Sequence, residues 1–130
     1  MLLFGHRFIE SEKFYHISDI DAITKTPPSA TLYLEFSEEN LDIINYLKEN
    51  GLNFVLNIKS IEELIYAQAF EAKYISLSKE LAKSAQSIAE NYLFDAKILV
   101  HITKEDEIEE MAILGIDAVL FPEAVVKISS

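Results

Sequence analysis

The chain has no cysteine and no tryptophan, and only three glycines and three prolines among its 130 residues. Without cysteine it has no disulfide, no iron–sulfur cluster, no thiolate zinc site and no cysteine nucleophile. So few glycines leave room for neither G-x-G-x-x-G nor G-x-x-x-x-G-K-[S/T], the loops that let backbone amides approach a pyrophosphate. Cations are also scarce: 11 Lys and Arg against 22 Asp and Glu give a formal charge of −11. Binding to a phosphate backbone or an anionic leaflet draws on clustered Lys and Arg, so neither a nucleic-acid nor a membrane partner is expected. Long apolar runs are missing too. Met1-Leu2-Leu3-Phe4 gives way at once to Gly5-His6-Arg7, far short of a signal-peptide core or a bilayer span, and the expectation is a soluble, cytoplasmic protein.

What is present is apolar periodicity. Half of the side chains are hydrophobic, enough for one α/β domain over residues 1–130 with its own core. From residue 32 to 130 a short apolar run, a Ser or Thr, a burst of acid and an amphipathic helix recur in that order. About five strands are read, over 32–36, 54–58, 74–77, 98–102 and 118–121. Four helices, over 38–50, 61–72, 79–93 and 104–114, lie between them. The apolar stripes are Leu41, Ile44 and Leu47, then Ile61, Leu64, Ile65 and Ala69, then Leu81, Ala85, Ile88 and Tyr92, then Ile108, Met111 and Ala112. Gly51 and Gly115 end the first and fourth helices. Strands joined by helical crossovers run parallel, which leaves an open doubly wound sheet or half of a (β/α) barrel. Residues 1–31 read differently, as an N-terminal hairpin turning at Ser11-Glu12-Lys13 and a short helix capped by Ser18 and stopped before Pro27-Pro28.

Ligands of parallel α/β sheets bind beyond the carboxyl ends of the strands. Ser37, Ser60, Ser78 and Thr103 stand there as helix caps, followed by Glu38-Glu39, Glu62-Glu63, Glu80 and Glu105-Asp106-Glu107 in the first helical turns. Those carboxylates compensate the positive helix ends and would repel a nucleotide. Glu35, Ser76 and His101 each precede their cap by two residues and share one face of the sheet. Such a Glu and His suit acid–base work or two ligands of a divalent metal. Residues 5–18, GHRFIESEKFYHIS, gather His6, Arg7 and His16. Read as a hairpin edge, their charges discourage strand pairing by strangers.

The run LLFGHR, residues 2–7, resembles the first strand of the glycerophosphodiester phosphodiesterases, barrel enzymes whose His-Arg-Gly signature does acid–base work at a calcium- or magnesium-dependent site. Residues 98–122, ILVHITKEDEIEEMAILGIDAVLFP, resemble that family's closing strand, helix and strand. Phe8 stands in place of the signature glycine, His101 in place of a tryptophan, and LFP in place of a Thr-Asp ending, and no Glu-Asn-Thr or second His-Asp motif follows. Of the family's functional residues only His6 and Arg7 carry over. The resemblance implies a shortened, inactive relative or a shared βα habit.

Two functions are expected, in this order. The first is a non-enzymatic interaction or scaffold protein with no cofactor, a homodimer whose open sheet edges are hidden by association, with Phe14, Tyr15, Tyr46 and Phe94 as candidate contact aromatics. The alternative is a metal-assisted hydrolase of phosphodiesters or another small anionic ester. It would use His6, Arg7, Glu35 and His101 as catalytic residues, with Glu35 and His101 holding a divalent ion such as Mg or Ca.

Overall fold

The computed structural model describes residues 1–128. Eight strands form one sheet, curled into a half-barrel. They are β1 Leu2–Phe4, β2 Phe14–His16, β3 Thr31–Glu35, β4 Phe54–Asn57, β5 Tyr74–Leu77, β6 Lys97–His101, β7 Ala118–Leu120 and β8 Val125–Lys127. The order is β1-β7-β6-β5-β4-β3-β2-β8, and every pair is parallel. The helices α1 Leu41–Glu49, α2 Ile61–Ala69, α3 Lys79–Asn91 and α4 Asp106–Ile113 follow β3 to β6 in turn. The βα repeat is therefore as the spacing predicts, with eight strands where five were read.

The extra strands come from the N-terminal segment and the tail, and the expected hairpin is absent. β1 pairs with β7, while β2 lies between β3 and β8. Alternating apolar residues suit a strand inserted between others as well as a hairpin arm, so periodicity alone could not separate the two. No turn forms at Ser11-Glu12-Lys13. Instead Ser11 Oγ accepts the Gly5 amide, and Glu12 accepts from the Thr31 hydroxyl (3.0 Å) and the Tyr74 hydroxyl (2.9 Å). The short helix is a 3-10 turn, Asp21–Lys25, and Asp19 rather than Ser18 accepts the Ala22 amide at its start.

Curling follows from contacts across the sheet. β1 and β2 stand six positions apart in strand order, about 29 Å on a flat sheet, yet the rings of Phe4 and Phe14 are 5.1 Å apart. Both touch Tyr74 of β5, at 5.6 and 5.4 Å. With Tyr33, Val55, Leu99 and Leu120 they fill the inside of the curl, while Leu34, Leu56, Ile75, Ile98 and Val100 face the helices outside. The Phe121 amide extends the β1–β7 ladder by donating to the Phe4 carbonyl, and just past β1 the chain meets the tail at a seam where a Cβ on Gly5 would lie 2.8 Å from the Ala124 nitrogen. Phe14 is fully buried here, so it is not a contact aromatic.

All four helices end alike. A left-handed residue follows, Gly51, Glu71, Leu93 or Gly115, and the next amide reaches back to Leu47, Ala67, Ala89 or Met111. At their starts, Ser60 caps α2 and Ser37 caps the 3-10 turn Glu38–Asn40 that leads into α1, both through their hydroxyls, whereas Ser78 makes no side-chain cap bond. Before α4, Glu107 replaces Thr103 as the capping group and accepts the Thr103 and Lys104 amides.

Two stripes are rotated from those read in the sequence. α2 buries Leu64 and Ala67, and α3 buries Ala82, Ala85, Gln86 and Ala89. Gln86 accepts the Asp117 amide, and Asp117 in turn accepts the Ile98 amide. α3 packs on the sheet through its alanines, and Ile65 of α2 and Tyr92 at the end of α3 are left exposed. Ala112 of α4 is likewise exposed. No helix among the described residues is long and apolar enough to cross a membrane.

Candidate functional site

Polar side chains of the inner face converge at the carboxyl ends of the middle strands. Glu35, Asn57 and His101 end β3, β4 and β6, and Ser76 stands one residue before the end of β5, on the parity of Tyr33, Val55, Leu99 and Tyr74 respectively. Asn57 is the hub. Its Nδ2 donates to Glu35 Oε1 (2.9 Å), and its Oδ1 accepts from the Ser76 hydroxyl (2.8 Å) and from His101 Nε2 (2.9 Å). Since Asn57 Oδ1 can only accept, His101 carries its ring proton on Nε2. The Tyr33 hydroxyl stands 3.3 Å from the same nitrogen, and the His16 ring lies edge-on to Tyr33. Burial lowers the pKa of His101 and of His16, the Glu35 charge partly opposing it in both. Burial likewise pushes the Tyr33 phenol up to about 12.

Glu35, Ser76 and His101 thus share a face as their spacing predicts, but no direct Glu–His bond forms. Asn57 separates them, and it escaped selection because amide side chains at strand ends carry no catalytic signature. His16, which the sequence places on a hairpin edge, and Tyr33 come beside this network only through the pairing of β2 with β3.

His6 and Arg7 lie elsewhere. Past the end of β1, His6 Nδ1 accepts the Phe8 amide (3.1 Å), which leaves its ring proton on Nε2, 3.3 Å from Glu105 Oε1. Arg7 Nε donates to the same oxygen at 2.9 Å and lies over the Phe8 ring. The His6 side chain is only 7 % exposed. These groups border a cleft of ≈ 580 Å³ whose wall includes Ser11, Lys13 and Thr103 but neither Glu35 nor His101. The four predicted residues therefore form two bonded groups, not one. Among the described residues no three His, Asp or Glu side chains are placed to hold a metal ion. Asn57 stands between Glu35 and His101, engaging Oε1 of the first and Nε2 of the second.

The starts of α2 and α4 are occupied by their own carboxylates. Glu63 accepts the Lys59 amide as Glu107 accepts those of Thr103 and Lys104. Lys79 pairs with Glu107 at 3.0 Å, and its hydrogen bond leads the causes that lower the Glu107 carboxyl to about 2.

A third feature is apolar. Between α2 and α3 runs a groove of ≈ 640 Å³ lined by Ile65, Gln68, Ile88, Tyr92 and Phe94. Tyr92 and the adjoining Leu93 are 75 % and 85 % exposed. No family model and no curated protein matches the chain. What fold and site define together is a class only, a parallel α/β half-barrel with an internally bonded polar cap and an apolar groove on its outer helices.

Proposed function

We propose that this chain is a non-enzymatic interaction protein that self-associates through the outer face of α2 and α3. The observation behind the reading is the pair of large apolar side chains left in water there, Ile65 and Tyr92, on a groove with no charged lining residue, with the exposed Leu93 next to Tyr92 in the chain. Contiguous exposed apolar surface of this kind marks interaction sites. β1 and β8 take the two ends of the strand order, and each is only three residues long, so the sheet edges offer little length for pairing with a partner strand. The polar cap fits a structural role, because Asn57 already satisfies Glu35, Ser76 and His101. Sedimentation equilibrium on the full chain from about 10 to about 500 µM is expected to fit a monomer–dimer equilibrium in the micromolar range. A single monomeric species across that range refutes the proposal.

A second reading, hydrolysis of a small anionic ester, is favoured by one observation. His6 is nearly buried, oriented by the Phe8 amide, and aimed with Glu105 and Arg7 into a cleft that Lys13 also lines. A His beside a carboxylate has the geometry of an acid–base pair, and Arg7 and Lys13 suit an anion. Turnover of phosphate mono- and diesters, with and without Mg²⁺ or Ca²⁺ and lost in His6→Gln, is expected under this reading. No turnover with any of them removes it.

A further inference from the structure

Beyond self-association and independently of it, we infer that the carboxyl-end mouth of the curled sheet binds a small organic cation, an ammonium or guanidinium group held by Glu35 together with His101 and His16. The bonds inside the polar cap leave a defined remainder. Asn57 takes Oε1 of Glu35 and Nε2 of His101. Among the described residues, Glu35 Oε2, His101 Nδ1 and both ring nitrogens of the half-buried His16 have no hydrogen-bond partner. Nor are they sealed in, since the one enclosed side-chain polar atom without a partner is Gln68 Oε1, away from this mouth between α2 and α3. The remainder therefore faces water.

Its chemistry selects the ligand. A carboxylate only accepts hydrogen bonds, and with its proton fixed on Nε2 the His101 ring presents Nδ1 as an acceptor too. Burial lowers the pKa of both imidazoles, which leaves them neutral at pH 7, and the Glu35 charge reaches each of them. Lys127, at the end of β8, also acts on His16, but less than Glu35 does. A cation that brings N–H donors thus meets a charge and acceptors together, whereas a phosphate or carboxylate meets the Glu35 charge. Position agrees with this reading. Sites of parallel sheets and barrels gather side chains from the carboxyl ends of several strands, and here β2 to β6 each contribute one, His16, Glu35, Asn57, Ser76 and His101. Asn57 holds Glu35 and His101 in place before a ligand arrives, so little ordering is left to oppose binding. A chain at −11 also draws cations toward it.

The test follows the imidazole proton resonances of the three histidines of the full chain at pH 7. Methylammonium chloride or methylguanidinium chloride is added to about 20 mM, with sodium chloride and sodium methyl phosphate as controls, and His6→Gln and His16→Asn assign the lines. The His16 and His101 lines are expected to shift saturably with at least one of the two cations, with a Kd on the order of 1 mM, and with neither control. Glu35→Gln keeps the acceptor for Asn57 but removes the charge, and is expected to weaken the binding by about tenfold or more. Circular dichroism melts check its fold. Should it fail to fold, His16→Asn takes its place, and the His101 line is expected to report a weaker affinity. His16 and His101 lines that stay still with both cations, equal shifts with either control, or an affinity unchanged in the folded variant overturn the site and leave self-association standing.

Discussion

Leu93 offers a measurement in which stability and association move in opposite directions. It sits just past the end of α3 at φ 53°, a conformation that disfavours an L-residue by about 1–2 kcal/mol. Replacing it with glycine removes that strain, while the extra freedom of glycine in the unfolded chain takes back about 0.5–1 kcal/mol. Little packing is lost, because the side chain is 85 % exposed. Leu93→Gly should therefore stabilise the monomer by about 0.5–1 kcal/mol, which for a chain of this length raises the melting temperature by about 2–4 °C. Glu71→Gly, at the matching position after α2 with φ 65°, should give a similar rise; its exposed contact with Lys48 at 3.7 Å contributes little. Thermal melts at low concentration read the first effect, and sedimentation equilibrium the second. Leu93→Gly should weaken the dimer, and Glu71→Gly should leave it as it is. A Leu93→Gly chain less stable than wild type would refute the strain argument, and one that dimerises unchanged would remove Leu93 from the interface.

Three other outcomes follow from the fold. Gly5→Ala puts a Cβ 2.8 Å from the Ala124 nitrogen at φ 84°; strain and clash together should destabilise by about 2–4 kcal/mol, and a urea midpoint near wild type would deny the seam between β1 and the tail. Asn57→Ala leaves a fully buried Ser76 hydroxyl and the His101 ring without their acceptor, an expected loss of about 2–4 kcal/mol by chemical denaturation. For pH, His16 and His101 both have folded pKa values lowered by burial. Their contribution is therefore complete above the unfolded value near 6.5 and is lost as pH falls below it through the folded values. Urea midpoints should drop from pH 7 to pH 5, and less so in His101→Asn; a flat profile, or one unchanged by that substitution, contradicts the burial of these rings.

Much of the architecture is written locally. Short apolar runs, hydroxyls, acids and helical stripes alternate closely enough that four helices and five of the strands lie within a few residues of the ranges their periodicity indicates. Parallel pairing follows from the crossovers alone. The caps at Ser37 and Ser60 and the left-handed ends at Gly51 and Gly115 are local as well. The shared face of Glu35, Ser76 and His101 follows from strand parity, which needs no knowledge of neighbours.

Only the tertiary structure decided where the first strands go. Leu2–Phe4 and Phe14–His16 read as the arms of a hairpin, but they do not pair with each other: β1 pairs with β7 more than a hundred residues away, and β2 pairs with β3 on one side and with the equally distant β8 on the other. Nothing local encodes a register set by curling Phe4, Phe14 and Tyr74 into one interior. The same holds for Asn57 as hub, assembled from four strands, and for the separation of His6 from His101. The phase of α3 is the subtlest case. Its larger residues, Ile88 and Tyr92, mark one stripe by hydrophobicity, yet the buried face is drawn by Ala82, Ala85 and Ala89. Close approach of helix to sheet favours the smallest side chains, and that preference depends on a distance that exists only once the chain is folded.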